Sequence, residues 1–434
     1  MNERPPVPRD GRERAVLVGI ARSPSERDAA SEHLEELSRL TDTAGGVVVA
    51  KVLKERARLE PSTFLGRGQA EDVAKEARDG AASVVIFDDD LSPGQMKNLE
   101  KVVPARILDR SGLILDIFAR RAKSHEARTQ VELAQLEYFL PRLTRRWTHL
   151  ERQAGGIGTR GVGETQLELD RRLIKGRIAH LKRLLRSIAL QRRQRRSGRS
   201  GLYKVAIVGY TNAGKSTLMR ALTGADVFVE DRLFATLDAQ VRRMPRARGK
   251  QAPGVVVIDT VGFLRKLPHA LVASFRSTLE EVLDADLLLH VIDVSDPNFR
   301  DQAAVTMDVL GEIGAGDRRV VVVYNKIDRV ADGGLLESLR REDPEALFAS
   351  AATGAGVDGV RERIQVARES SFHVARIAVA QRAGDVLSAV RAELEIIDES
   401  YDGGVVHLKV RGRPEDIARL AGRAGRAAME QNRP

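Results

Sequence analysis

The sequence contains no cysteine. Disulfides, cysteine-ligated zinc and thiol nucleophiles are therefore excluded, and a reducing compartment suits such a chain. No apolar run is long enough to span a bilayer. The opening stretch, Met1 to Arg14, mixes proline, arginine and acids without the apolar centre of a secretory signal. A cytoplasmic protein is expected. One absence is local: from Arg171 to Arg199 there is no aspartate or glutamate.

What is present bounds the architecture. A chain of 434 residues is too long for one ordinary core, so several domains are expected. Hydrophobic residues at 42% and charged residues at 30% are those of a globular protein. Lysine and arginine number 71 against 61 acids, and the net charge of +10 favours a polyanionic partner. After a loose tail at 1–14, Ala15–Ile20, Gly46–Val52, Ser83–Phe87 and Arg106–Leu108 read as short buried strands. Helical stretches separate them: Ser25 to about Thr41 with Ser25 as cap, Gln69–Arg78 and Pro93–Val102. This alternation predicts a parallel sheet covered by helices across 15–118. The glycines Gly66 and Gly68 within it read as a plain turn.

Residues 119–197 change character. Leu133, Leu136, Leu140, Leu143, Trp147 and Leu150 form one seam at helical spacing, and Pro141 should kink it. Leu167, Ile174, Leu181 and Ile188 form a second, with Ile178 and Leu185 between them. The seams flank a glycine-rich passage, which predicts an antiparallel helical hairpin with that passage at its tip. A helix surface usually mixes charges to gain i,i+4 pairs, whereas an acid-free cationic block repels itself unless phosphate neutralises it. RNA contacts are expected from Gly155, Gly156, Gly158, Thr159, Arg160, Gly161 and Gly163 at the tip, and from Arg171, Arg172 and Lys175 on the second helix.

The region 198–368 carries the chemistry. The apolar run Lys204–Val208 leads into Gly209, Tyr210, Thr211, Asn212, Ala213, Gly214, Lys215 and Ser216, with Thr217 continuing into a helix. This is G-x-x-x-x-G-K-S between a strand and a helix, where glycines let backbone N–H groups wrap phosphates. Lys215 should neutralise the β- and γ-phosphates and Ser216 should ligate Mg²⁺. A second strand, Val255–Ile258, ends at Asp259, Thr260, Val261 and Gly262. Asp259 should hold the magnesium shell and the Gly262 amide should sense the γ-phosphate. Between these motifs lie Phe234, Ala235, Thr236, Leu237 and Asp238, with Thr236 as the candidate switch hydroxyl on Mg²⁺. A strand ending at Asn325, Lys326, Ile327 and Asp328 supplies base recognition. The Asp328 carboxylate can accept from guanine N1–H and N2–H₂, a donor pair that adenine lacks. Ser350, Ala351 and Ala352 can offer a backbone N–H to guanine O6. Phe263 stands where a Ras-like enzyme has the glutamine that orients water, so slow isolated turnover and a partner-completed site are expected. Lys215, Thr236 and Gly262 are the expected catalytic set, with GTP as substrate and Mg²⁺ as cofactor.

Several passages together resemble one family. They are Ala127–Leu136, Leu140–Leu143, Gly155–Glu168 (GGIGTRGVGETQLE), Phe234–Asp238 (FATLD) and Asp259–Phe263 (DTVGF). The chain, from about residue 15 onward, resembles the HflX ribosome-associated GTPases. That resemblance implies binding to the large ribosomal subunit and its RNA, splitting of stalled or idle ribosomes, and GTP hydrolysis that supports release. It also implies a glycine loop aimed at the peptidyl-transferase region, a hydrophobic residue at the position of Phe263, and possible secondary ATP use. The fold expected is multidomain α/β: an N-terminal parallel α/β domain, the antiparallel hairpin, a Ras-like P-loop GTPase domain, and a small C-terminal α/β domain at 369–434. In the last, Val374–Val379 and Val405–Val410 read as strands and Asp385–Ile397 and Pro414–Arg423 as helices. A monomer that associates with ribosomes is expected. Two other functions fit the same residues: a ribosome-assembly checkpoint GTPase, and an RNA-binding module using GTP as a structural ligand.

Overall fold

The computed structural model describes residues 12–143, 166–197, 202–224, 233–234, 239–245, 254–266 and 281–431. They fall into two compact units, the first holding 1–188, 230–238 and 265–276, the second the remainder.

In the first unit, strands β1 (Arg14–Ala21), β2 (Val47–Glu55), β3 (Val84–Phe87) and β4 (Arg106–Asp109) make a parallel sheet in the order β2-β1-β3-β4. Helices α1 (Arg27–Thr43), α2 (Arg67–Asp79), α3 (Pro93–Val102) and α4 (Arg110–Arg121) connect and cover it. Val16, Val18, Val85 and Phe87 are buried against Val73 and Leu99, as a sheet sandwiched by helices requires. Ser25 is not the cap of α1. It sits in a 3₁₀ turn at Pro24–Glu26, and Glu26 takes the cap position without a side-chain bond. Gly66 caps α2 and Gly68 lies inside it, so the expected turn is a helix start.

Helix α5 (His125–Phe139) ends at a 3₁₀ turn, Leu140–Arg142, that holds Pro141, where a kink had been expected. Helix α6 (Gln166–Ser197) follows, with Ile174 and Leu181 buried along its seam. Glu132 pairs with Arg177 and Glu137 with Lys182, both across 45 residues. A constant offset is the register of helices running the same way, so α5 is not the opposing arm of an antiparallel pair with this part of α6. Trp147, Leu150 and the glycine-rich tip, where the expected hairpin would close, lie outside the described residues.

In the second unit, β5 (Tyr203–Val208), β6 (Gln240–Arg243), β7 (Val255–Asp259), β8 (Leu287–Asp293), β9 (Val320–Asn325) and β10 (Leu347–Phe348) form one sheet ordered β10-β9-β8-β5-β7-β6. All its pairings are parallel except that of the edge strand β6 with β7. Helices α7 (Lys215–Thr223), α8 (Phe299–Glu312), α9 (Gly333–Glu342) and α10 (Val357–Ser371) connect the strands. β5 and β8 are central and read as almost continuous apolar runs because both faces are covered. Last come β11 (His373–Ala380), α11 (Gly384–Glu393), β12 (Glu395–Asp402), β13 (Val405–Gly412) and α12 (Pro414–Gln431). Their antiparallel sheet, ordered β11-β13-β12, buries Ile377, Val379 and Leu408 against Val390 and Leu420. The expected helix through Ile397 is corrected here: it ends at Glu393, and Ile397 lies in β12. Among the described residues no helix is long and apolar enough to cross a membrane.

Candidate nucleotide site

The site gathers at the carboxyl ends of β5, β7, β8 and β9, where open α/β sheets bind ligands. Between β5 and α7 the chain needs backbone shapes that side chains resist. Gly209 has φ +151° and a Cβ there would lie 2.2 Å from the Val291 carbonyl oxygen. Gly214, at φ +94°, would place one 2.2 Å from Asn325 Nδ2. The glycines of the motif are thus required by close approach as well as by torsion. Asn212 also takes a left-handed conformation, which asparagine tolerates. The cradle opens onto the first turn of α7, where unpaired N–H groups favour an anion.

Lys215 is buried, and its Nζ donates to the carbonyls of Gly209 (3.1 Å) and Tyr210 (2.6 Å). Burial lowers its pKa to about 8, the Asp259 carboxylate working against that fall and Lys326 adding to it. The ammonium is therefore mostly charged at neutral pH, held where phosphate oxygens would displace weaker carbonyl partners. Ser216 Oγ donates to Asp259 Oδ2 at 2.6 Å, bringing the two expected magnesium ligands from different motifs together. Thr211 Oγ1 is buried without a hydrogen-bond partner among the described residues, a polar atom that a phosphate would satisfy. Thr260 is held inside by a bond from its hydroxyl to the Ile207 carbonyl, and Val261 is buried beside it. Thr217 is half-buried in α7.

Gly262 sits closest to the phosphate cradle. A Cβ there would meet Thr211 Cα at 2.8 Å and Lys215 Nζ at 2.9 Å. Phe263 is buried, its N–H donating to the Gly209 carbonyl at 3.1 Å and its carbonyl accepting from Thr211 N–H at 2.8 Å. A buried phenyl ring has no group to orient water, in keeping with the sequence reading.

The elements expected to recognise the base assemble around Asn325. Its Nδ2 donates to the Ala213 carbonyl at 2.8 Å, and its Oδ1 accepts from the Ala351 N–H at 3.0 Å. One buried amide thus ties the phosphate loop to the Ser350–Ala352 turn. Lys326, in a left-handed conformation, reaches Asp293 at 2.6 Å, and this aspartate was not foreseen from sequence. Ile327 is half-buried and Asp328 exposed in the 3₁₀ turn after β9, leaving its carboxylate open to a ligand. Ser350 is fully buried with its N–H bonded to Ala355, while Ala352 is exposed.

Sequence reasoning also missed His290. It lies buried in β8 paired with Val208, and burial, assisted by Lys215, lowers its pKa to about 4. The visible signal was one polar residue in an apolar strand, LLLHVID. Of the remaining expected residues, Phe234 is buried with its ring edge-on to Phe118, centroids 4.6 Å apart. Ala235, Thr236, Leu237 and Asp238 lie outside the described residues, as do Gly155, Gly156, Gly158, Thr159, Arg160, Gly161 and Gly163. Arg171, Arg172 and Lys175 are exposed on α6.

Residues 31–119 match the family described as GTP-binding GTPase N-terminal, 121–199 the GTP-binding GTPase middle region, and 204–326 the 50S ribosome-binding GTPase. A GTPase HflX of Flavobacterium psychrophilum is 49% identical over 73% of this chain and 76% of its own length. Those of Magnetococcus marinus and Escherichia coli are each 42% identical, covering 97% and 95% of this chain and 98% and 96% of theirs. The crystal structure of SsGBP with GDP aligns with a TM-score of 0.45 at 26% identity, over 82% of this chain and 98% of that one.

Proposed function

The chain belongs to the HflX family of GTPases, and from that premise we propose that it binds the large ribosomal subunit and uses GTP binding to split stalled or idle ribosomes. GTP hydrolysis is the family's activity, and the site above has the residues for it. The observation that carries the ribosomal reading is the second helix of the expected arm. Arg171, Arg172, Lys175, Arg183 and Arg186 are exposed on α6, in a stretch without one acid, while Arg177 and Lys182 between them pair with Glu132 and Glu137 of α5. Such a surface is stabilised by releasing counterions from an RNA backbone.

The residues present fit Mg²⁺. Ser216 and Asp259 are hard oxygen donors 2.6 Å apart beside the glycine cradle. Phosphate oxygens of the nucleotide would complete its shell. Bound there, it would supply neutralisation of the nucleotide's phosphate charge. Ser216 and Asp259 would hold it, with Thr236 joining in the triphosphate form. Lys215 neutralises the β- and γ-phosphates, the amides of 212–216 wrap them, and Gly262 N–H reads the γ-phosphate. Asp328 fixes guanine, with Asn325 bracing its loop. Because Phe263 cannot place water, the ribosome is the partner that completes the hydrolytic geometry. GTP binding then favours engagement by the cationic arm and its glycine tip (Gly155–Gly163), and hydrolysis favours release.

Stopped-flow light scattering of whole ribosomes, run with single-turnover GTP cleavage, tests this. We expect scattering to fall with GTP and with a non-hydrolysable analogue but not with GDP, and cleavage to accelerate when ribosomes are added. Fast cleavage without ribosomes, or no loss of scattering in any nucleotide, contradicts the proposal. Preferential binding to immature subunits would favour the assembly-checkpoint reading instead.

A further inference from the structure

In the second unit a mostly buried ion pair lies against the nucleotide site. Strand β8 ends at Asp293, which is the register partner of Asn325 at the end of β9. Val294 N–H donates to the Asn325 carbonyl at 3.1 Å, so the two strand ends stay tied beyond their last paired residues. Lys326 follows Asn325, and its Nζ lies 2.6 Å from Asp293 Oδ2. The lysine side chain is 14% exposed and the aspartate 15%. Taking two charges out of water offsets most of their attraction, so such a pair does more to fix a geometry than to add stability.

The rest of Asp293 is committed to its own turn. Its Oδ1 accepts from Ser295 N–H at 3.1 Å and from Ser295 Oγ at 2.6 Å, which leaves Oδ2 for the lysine. Its carbonyl accepts from Asp296 N–H at 3.2 Å, so the carboxylate stands on an ordered turn. Lys326 takes a left-handed backbone, φ +63°, as the residue before the 3₁₀ turn that carries Asp328. Its stem passes the phosphate cradle: a Cβ on Gly214 would come 4.0 Å from Lys326 Cε, an ordinary van der Waals distance. A nucleotide with its phosphates in the cradle and its base at Asp328 must lie along that stem. The Lys326 charge also reaches Lys215, where it adds to the lowering of the pKa by burial and Asp259 opposes both. Without a carboxylate partner the Lys326 ammonium would compete for the oxygens that Lys215 serves.

We propose that Asp293 is a positioning residue for nucleoside affinity: by holding the Lys326 ammonium, it lays the lysine stem as a fixed wall for the ribose and the purine. An unheld lysine samples many rotamers and must be ordered when the nucleotide arrives, whereas a held one is ordered during folding. GTP and GDP carry the same base and ribose, so both gain equally. This rests on the GTP-binding reading of the site and needs nothing from ribosomes, so it is measured in the isolated protein.

The test compares Asp293→Asn, Lys326→Met and the double variant by equilibrium titration with GTP and GDP. Asparagine keeps an oxygen acceptor for Ser295 and the shape of the side chain, so it removes the charge that holds Lys326 and little else. We expect Asp293→Asn to weaken GTP and GDP alike by on the order of fivefold, with their ratio unchanged. Because Asp293 acts through Lys326, the double variant should bind no more weakly than Lys326→Met alone. The Asp293→Asn titration stands without the double variant, since Lys326→Met strands a buried carboxylate and costs stability. Unchanged affinity in Asp293→Asn, a loss confined to one of the two nucleotides, or losses that add in the double variant overturn the proposal. Titration of the unaltered chain reports on the GTP site itself, so failure of that reading shows there and not in the comparison among variants.

Discussion

At the residue scale, backbone geometry and charge make separate demands on each position. Replacing Lys215 with alanine removes the buried ammonium facing the phosphate cradle. We expect GTP and GDP affinity to fall together by on the order of 100-fold in equilibrium titration, as for loss of charge-assisted bonds to phosphate. Asp328→Asn acts at the other end of the nucleotide. It turns an acceptor into a donor that opposes guanine N1–H, while xanthine offers a carbonyl where guanine carries its amino group. GTP affinity should drop and xanthosine triphosphate should become the better ligand, and competition between the two checks this. His290 gives a pH signature. Its folded pKa of about 4 lies below the ordinary 6.5, so the unfolded chain binds the proton first as pH falls. The stabilisation is complete above pH 6.5 and is lost as pH drops toward 4, at most about 3 kcal/mol. Urea unfolding of the GTPase region at pH 7.5 and 5 should show a fall that His290→Leu largely removes, and an equal fall in both proteins would refute it.

At the scale of elements, the nucleotide motifs were legible because their function uses short, ordered backbone features next to strands. Gly209, Gly214 and Gly262 stand where a Cβ would strike backbone or a key side chain, so the chemistry is written into local sequence. Elements set by long-range context were not legible. β6 is an edge strand, QVRR, with no apolar alternation to mark it. In β12, Ile396 and Ile397 continue the apolar pattern of α11, and only pairing with β13 shows the helix has ended. The antiparallel hairpin was read from two seams joined by a glycine-rich passage, and neither spacing nor passage tells which parts of the helices lie side by side. The ion pairs that Asp88 makes with Arg110 and Lys266 join residues up to 178 positions apart, beyond any local pattern. For the cationic arm, neutralising Arg171, Arg172 and Lys175 together should reduce the salt dependence of ribosome binding by a slope of about 2 to 3, with GTP affinity intact. Shortening Gly155–Gly163 or replacing Arg160 should abolish splitting without changing nucleotide binding, as scattering and titration would show.

At the scale of the whole molecule, HflX family membership, a GTPase domain and the acid-free stretch from Arg171 to Arg199 are what the proposed coupling of nucleotide state to RNA rests on. Cationic side chains are exposed along α6, and under the proposed function they would steer the protein toward a polyanion before any specific contact forms. The most direct measurement is sucrose-gradient sedimentation of purified whole ribosomes with this protein in GTP, GDP and a non-hydrolysable analogue. We predict separated subunits with GTP and with the analogue, the protein travelling with the large subunit, and intact ribosomes with GDP. Intact ribosomes and free protein in all three gradients would contradict it.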